Sequence, residues 1–163
     1  MPQNRKFQKF VSTERLKDDA VTGAKIVAGT IATTDLAYTP VQSLTFRYEF
    51  DSQGGAVGAV TLTDTSGAAQ QLPAGALVTS AVIKSSGALA SSGSATLALG
   101  ITGTATAFKG ATAFDNAAYA GSNAVTAGSA PVYVSSATNV IGTIATATLE
   151  GGILDLVVSF IIA

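Results

Sequence analysis

From Val41 onward, apolar and polar residues alternate in short runs. Leu44, Phe46, Tyr48 and Phe50 interleave with Thr45, Arg47 and Glu49, the period of two that gives a strand one core face and one wet face. After Gly54-Gly55, residues 56–63 carry Val57 and Val60-Thr61-Leu62 and stop at Asp64-Thr65-Ser66-Gly67, a run of turn-forming residues. Leu72-Pro73-Ala74-Gly75 predicts another turn. Residues 76–85, with Leu77, Val78, Val82 and Ile83, predict a strand; residues 87–93 read as a loop; residues 94–102 set Ala95, Leu97, Leu99 and Ile101 on one face. Residues 132–135, 140–149 and 153–162 complete the set, with Glu150-Gly151-Gly152 turning between the last two. The spacing predicts an all-β fold: an antiparallel β-sandwich, jelly-roll-like, of about seven strands.

Two large-residue segments, 44–50 and 153–162, hold most of the bulky side chains and are expected to face each other in the middle of the sandwich. An apolar strand such as 153–162 left at an open edge would template aggregation, so it must be paired, either inside the subunit or across a subunit boundary. Residues 105–121 depart from the pattern. They read as a long excursion with a short helical turn, and such loops commonly make contacts. Phe108, Phe114 and Tyr119 are its candidate oligomer or contact residues, with plain connection as the alternative.

The first 40 residues differ in kind from the rest. Residues 1–17 are polar and basic with scattered apolar anchors at Phe7, Phe10, Val11 and Leu16; an arm that docks on something and a free basic tail both fit. Residues 20–38 hold a ten-residue repeat in which Ala20-Val21-Thr22-Gly23-Ala24-Lys25-Ile26 aligns with Thr30-Ile31-Ala32-Thr33-Thr34-Asp35-Leu36. Two copies are too few for a solenoid, so the segment reads as an extended linker. The expected division is an N-terminal arm and linker over residues 1–40 and a β-sandwich domain over residues 41–163.

Composition sharpens this division. The 163 residues include 30 alanines, 21 threonines, 17 glycines and 15 serines, and only 12% are charged. Six of the nine basic residues (Arg5, Lys6, Lys9, Arg15, Lys17 and Lys25) fall in the first 25 positions, and residues 52–163 contain six charges in all. A lone globule usually carries more surface charge, so either Ser and Thr supply the polar surface or other chains cover much of it. Small, uncharged residues let backbones approach closely, which favours a homo-oligomer. No apolar run reaches membrane-spanning length, so no membrane partner is expected, and no secretory leader pattern opens the sequence. The protein is expected to be made and used without export.

Cysteine, histidine and tryptophan are absent, which removes thiol nucleophiles, imidazole bases, Cys/His zinc sites and disulfides. Glu49 and Asp51 stand at i, i+2, a carboxylate-pair spacing, but a solvated strand face explains them better. Asp18-Asp19 and Asp115-Asn116 lack the ligand density of a calcium loop. Lys109-Gly110-Ala111-Thr112 lacks the glycine spacing of a phosphate loop. Tyr38, Tyr48, Tyr119 and Tyr133 could stack on sugars. Arg5, Lys6 and Lys9 with Phe7 and Phe10 could meet nucleic acid, but docking on an acidic protein surface suits them better, and no nucleic-acid partner is expected at a net charge of −1. No enzyme activity and no cofactor are expected.

The repeat at residues 20–36 resembles the Val-Thr-x-Ala-Lys-Ile linkers of tailed-phage fibre proteins. Leu72-Pro73-Ala74-Gly75-Ala76-Leu77-Val78, Ser94-Ala95-Thr96-Leu97-Ala98-Leu99-Gly100, Pro131-Val132-Tyr133-Val134 and Ala147-Thr148-Leu149-Glu150-Gly151-Gly152 resemble the small β-domain of tailed-phage capsid cement, decoration and head-fibre proteins. The resemblance implies a non-enzymatic homotrimer of the virion, on the outer face of the head, with the major capsid protein as partner. Its arm would reach over neighbouring subunits, with Arg5, Lys6, Phe7, Lys9, Phe10, Arg15 and Lys17 as capsid-contact residues. The alternative is a receptor- or glycan-binding fibre tip that uses the excursion around Phe108 to Tyr119.

Overall fold

A computed structural model describes residues 40–120, 122–125 and 132–163. The basic leader and the ten-residue repeat lie outside the described residues. The alternation at residues 44–50 becomes strand β1 (Gln42–Glu49), with Phe46 and Tyr48 buried between more exposed neighbours. One helical turn, α1 (Phe50–Gln53), ends the strand, and the Gln53 side chain accepts from the Glu49 N–H at 2.8 Å. There follow β2 (Gly58–Thr61), β3 (Gln71–Leu72), β4 (Ala76–Ala90), β5 (Thr96–Ile101) and β6 (Thr104–Ala113). After a 3-10 turn (Ala117–Tyr119) come β7 (Ser122–Val125), β8 (Tyr133–Val134), β9 (Thr138–Ala145) and β10 (Gly151–Ile162).

These strands form two five-stranded antiparallel sheets, β1-β10-β4-β7 with β8 also on β4, and β2-β9-β5-β6 with β3 also on β9. The all-β antiparallel sandwich is therefore borne out. The strands beyond the expected seven are β3, β6 and β7. β10 is paired as expected, inside the subunit and on both sides, with β1 from Gln42 opposite Phe160 to Glu49 opposite Ile153 and with β4, so the two large-residue segments lie side by side in one sheet, not face to face. That register turns Leu154, Leu156, Val158 and Phe160 into the core beside Phe46, Tyr48 and Ile83, where they meet Leu97, Leu99, Val140 and Ile144. Burying each such side chain stabilises by roughly 1.5–3 kcal/mol.

Three boundaries differ from the sequence expectation. Residues 87–90 continue β4 instead of opening a loop, because Gly87 pairs with Ile153 and Leu89 is buried. β9 ends at Ala145, not at residue 149. Thr146 there takes a φ of 72°, and the Ala147 N–H donates back to the Ala145 carbonyl at 2.9 Å, a tight three-residue turn. Third, the supposed excursion at 105–121 is mostly strand. β6 pairs with β5, and between the pairs Ile101–Thr104 and Leu99–Lys109 it uses more residues than β5 does, a bulge that ends at the fully buried Phe108.

Candidate functional site

The seven leader residues expected to contact a partner, Arg5, Lys6, Phe7, Lys9, Phe10, Arg15 and Lys17, lie outside the described residues. The three aromatic residues of the expected contact loop are described, and they are placed differently from one another. Phe108 is fully buried and Tyr119 is 2% exposed; both belong to the core rather than to a projecting loop. Phe114 is partly buried against that core. The Tyr119 hydroxyl donates to the Leu97 carbonyl, and burial pushes its pKa up to about 12. Sequence alternation failed here because Thr104-Ala105-Thr106-Ala107 presents no bulky residue to mark the core side.

The remaining chemical candidates resolve into local structure. Glu49 closes β1 while Asp51 sits in α1, so the two carboxylates do not share a strand face. Asn116 uses its side-chain oxygen to accept from the Ala118 N–H at 2.9 Å, capping the 3-10 turn. Lys109-Gly110-Ala111-Thr112 lies within β6, and the Thr112 hydroxyl donates to the Gly110 carbonyl at 2.9 Å. Asp64 builds its own turn: it accepts from the Ser66 hydroxyl at 2.7 Å and from the backbone N–H groups of Ser66 and Ala68, which together hold its pKa below the usual carboxylate value. Of the tyrosines considered for stacking, Tyr48 is buried with its hydroxyl on the Gly54 carbonyl at 2.9 Å, and burial raises its pKa. Tyr133 is 58% exposed. Among the described residues no group of three or more acidic, histidine or cysteine side chains could hold a metal ion, and no helix is long and apolar enough to cross a membrane.

Two surface features were not anticipated. On the outer face of the first sheet, Arg47 and Asp155 stand opposite each other and join by two hydrogen bonds, Nε to Oδ1 at 2.8 Å and Nη2 to Oδ2 at 3.0 Å. The hydrogen bond to Asp155 raises the Arg47 pKa. The clue in the sequence was a lone carboxylate at an outward position of an otherwise apolar strand. The second feature is a cavity of about 440 Å³, its lining including Ser85, Ser86, Leu89, Phe114, Asp115 and Tyr119. β7 pairs with β4 only from Ala81 to Lys84. Beyond Lys84, β4 runs on to Ala90 with β10 as its one strand neighbour among the described residues, and the cavity opens beside that stretch. Contacts between sheet and turn across some 30 positions created it, which no local pattern encodes.

This sandwich occurs in chains of solved phage capsids. The chain is similar to one in the cyanophage Pam1 capsid asymmetric unit, at 20% identity with a TM-score of 0.56, covering 84% of this chain and 100% of that one. A chain in the capsid of Ralstonia phage GP4 gives 17% identity and a TM-score of 0.56 over 83% of this chain and 93% of the other. A chain in the acid-stable capsid of Helicobacter pylori bacteriophage KHP30 gives 16% identity and a TM-score of 0.51, over 74% and 86%. At these identities the likeness defines the fold. No protein-family model and no curated protein matches the chain.

Proposed function

We propose that this chain is a structural virion protein, a homotrimeric cement or decoration protein on the outer face of a phage head. It acts by binding, not by catalysis. The observation that supports the reading is the likeness in fold to chains of phage capsids, with 86–100% of those chains covered. The composition supports it independently, since a body with three cations and six carboxylates over residues 40–163 and half of its chain in small residues is suited to close packing on other subunits. A protein that binds the assembled lattice and not its dissociated subunits stabilises the shell by mass action. In this reading the leader cations Arg5, Lys6, Lys9, Arg15 and Lys17, with Phe7 and Phe10, grip the major capsid protein.

Deleting residues 1–25 tests the leader's part. The truncated chain should keep its β-type circular dichroism and lose co-sedimentation with phage heads. Undiminished co-sedimentation would remove the leader from the account. Glycan binding by a chain that does not sediment with heads would instead favour a fibre tip.

A further inference from the structure

We propose that the cavity between β4 and the 3-10 turn binds a neutral saccharide. β4 runs on past Lys84 to Ala90, and the turn Ala117–Tyr119 packs against it. The Tyr119 hydroxyl ties the turn to β5 through the Leu97 carbonyl, so the two walls are set before anything binds. Leu89 and Tyr119, both buried, and the partly buried Phe114 form the apolar side of the space. The polar side is Ser86, Asp115 and Asn116, all three exposed. The Asn116 oxygen is committed to the Ala118 N–H at 2.9 Å, which orients the amide and leaves its NH2 group to donate. Neither the Asp115 carboxylate nor the Ser86 hydroxyl has a hydrogen-bond or ion-pair partner among the described residues.

This set of groups selects its ligand. The lining holds one carboxylate and no cation, so a phosphate, sulfate or carboxylate would find no counter-charge and would meet a like one. A purely apolar ligand would strip water from the polar side and give nothing back. A sugar ring satisfies both sides. Neighbouring hydroxyls donate to the two oxygens of Asp115, another accepts from the Asn116 NH2 group, and the C–H face of the ring rests against Phe114. At about 440 Å³ the space stands at the low end of small-ligand sites, which run from roughly 300 to 1,000 Å³, and admits a mono- or disaccharide. A primary amine is the competing class, because Asp115 would pair with it. The Asn116 NH2 group counts against it, a donor set toward a donor. The inference goes beyond the shell-binding reading and stands without it. On a head that carries many copies, a weak site of this kind would hold a glycan-coated surface by avidity.

The test is nuclear magnetic resonance on the full nitrogen-15-labelled chain without heads, so its outcome is independent of co-sedimentation. Glucose, galactose and mannose are titrated singly, each beside its uronic acid, and n-butylamine serves as the cationic probe. At least one neutral sugar should shift the amides of residues 85–89 and 114–120 with a saturable Kd of the order of 1–10 mM. Its uronate should bind about tenfold more weakly. Asp115→Asn and Asn116→Asp should each weaken the sugar about tenfold, the loss of one strong hydrogen bond. Asn116→Asp keeps the cap on the turn, since an Asp oxygen accepts there as the Asn oxygen does, and unchanged shifts elsewhere show that the fold is kept. For an amine occupant the second variant would do the reverse, tightening n-butylamine while no sugar binds. That result would overturn the proposal. So would the absence of saturable shifts with all three sugars, shifts confined to other segments, a uronate as tight as its sugar, or sugar binding indifferent to both variants.

Discussion

Asp155 shows how much a single position conveys and where it stops. Within Ile153 to Ile162 it is the one charged residue, and strand alternation alone puts it on the face away from Leu154 and Leu156. What alternation does not supply is the partner: Arg47 lies 108 residues earlier, and only the β1–β10 register brings them together. The pair is two-pronged and its carboxylate side chain is 9% exposed, the geometry in which Arg–carboxylate bonds are strongest. Tyr119 carries a pH consequence. Its folded-state pKa near 12 exceeds the ordinary value of 10 because burial disfavours the phenolate. The native state then holds its proton more tightly than the unfolded one, so this contribution is complete below pH 10 and is lost as the pH rises toward 12. The size is of order 2–3 kcal/mol. Urea unfolding across this range should show stability falling, with Tyr48 adding in the same direction. In Tyr119→Phe the fall should be shallower, on a baseline lower by about 1 kcal/mol for the lost hydrogen bond. Equal slopes in the two proteins would contradict the assignment.

At the scale of elements, the strands with bulky alternating residues were legible and those built from threonine and alanine were not. β1, β5 and β10 announce themselves through Phe46, Leu97 and Leu156 with their flanking partners. β6 does not, because Thr and Ala differ too little in hydrophobicity to mark a face, and its bulge breaks the period before Phe108. The end of β4 was hidden by Gly87, which suits a loop as well as a strand. The glycine at the start of β10 is more demanding. Gly152 has a φ of 119°, and a Cβ there would stand 2.7 Å from the Leu89 Cα and 2.8 Å from the Ala88 carbonyl oxygen. Gly152→Ala should therefore cost about 2–4 kcal/mol in thermal or urea unfolding, from backbone strain and overpacking together. Gly67→Ala, at a φ of 86° with open space around it, should cost about 1 kcal/mol. Similar losses in both would show that the contact with β4 is unimportant.

The whole molecule divides its charge unevenly, a cationic leader joined to a body of mostly uncharged small residues, and the positions of the nine basic residues along the chain are enough to reveal this division. The sandwich class was legible for a related reason, since turn signals recur between short runs across the body. Quaternary placement was not legible from residue pattern, because what an oligomer or a lattice buries looks locally like any surface of Ala, Ser and Thr. Val41 and Tyr133, 64% and 58% accessible, show this: neither stands out in the strand pattern from an ordinary surface position. The central claim is that this body sits on the outside of a phage head as a trimer. The direct measurement is an electron cryo-microscopy reconstruction of heads assembled with and without the chain. The account predicts threefold sandwich density on the outer surface of the first and its absence from the second, with strands tracing residues 42–162; identical shells, or the same sandwich found only in tail or fibre density, would contradict it.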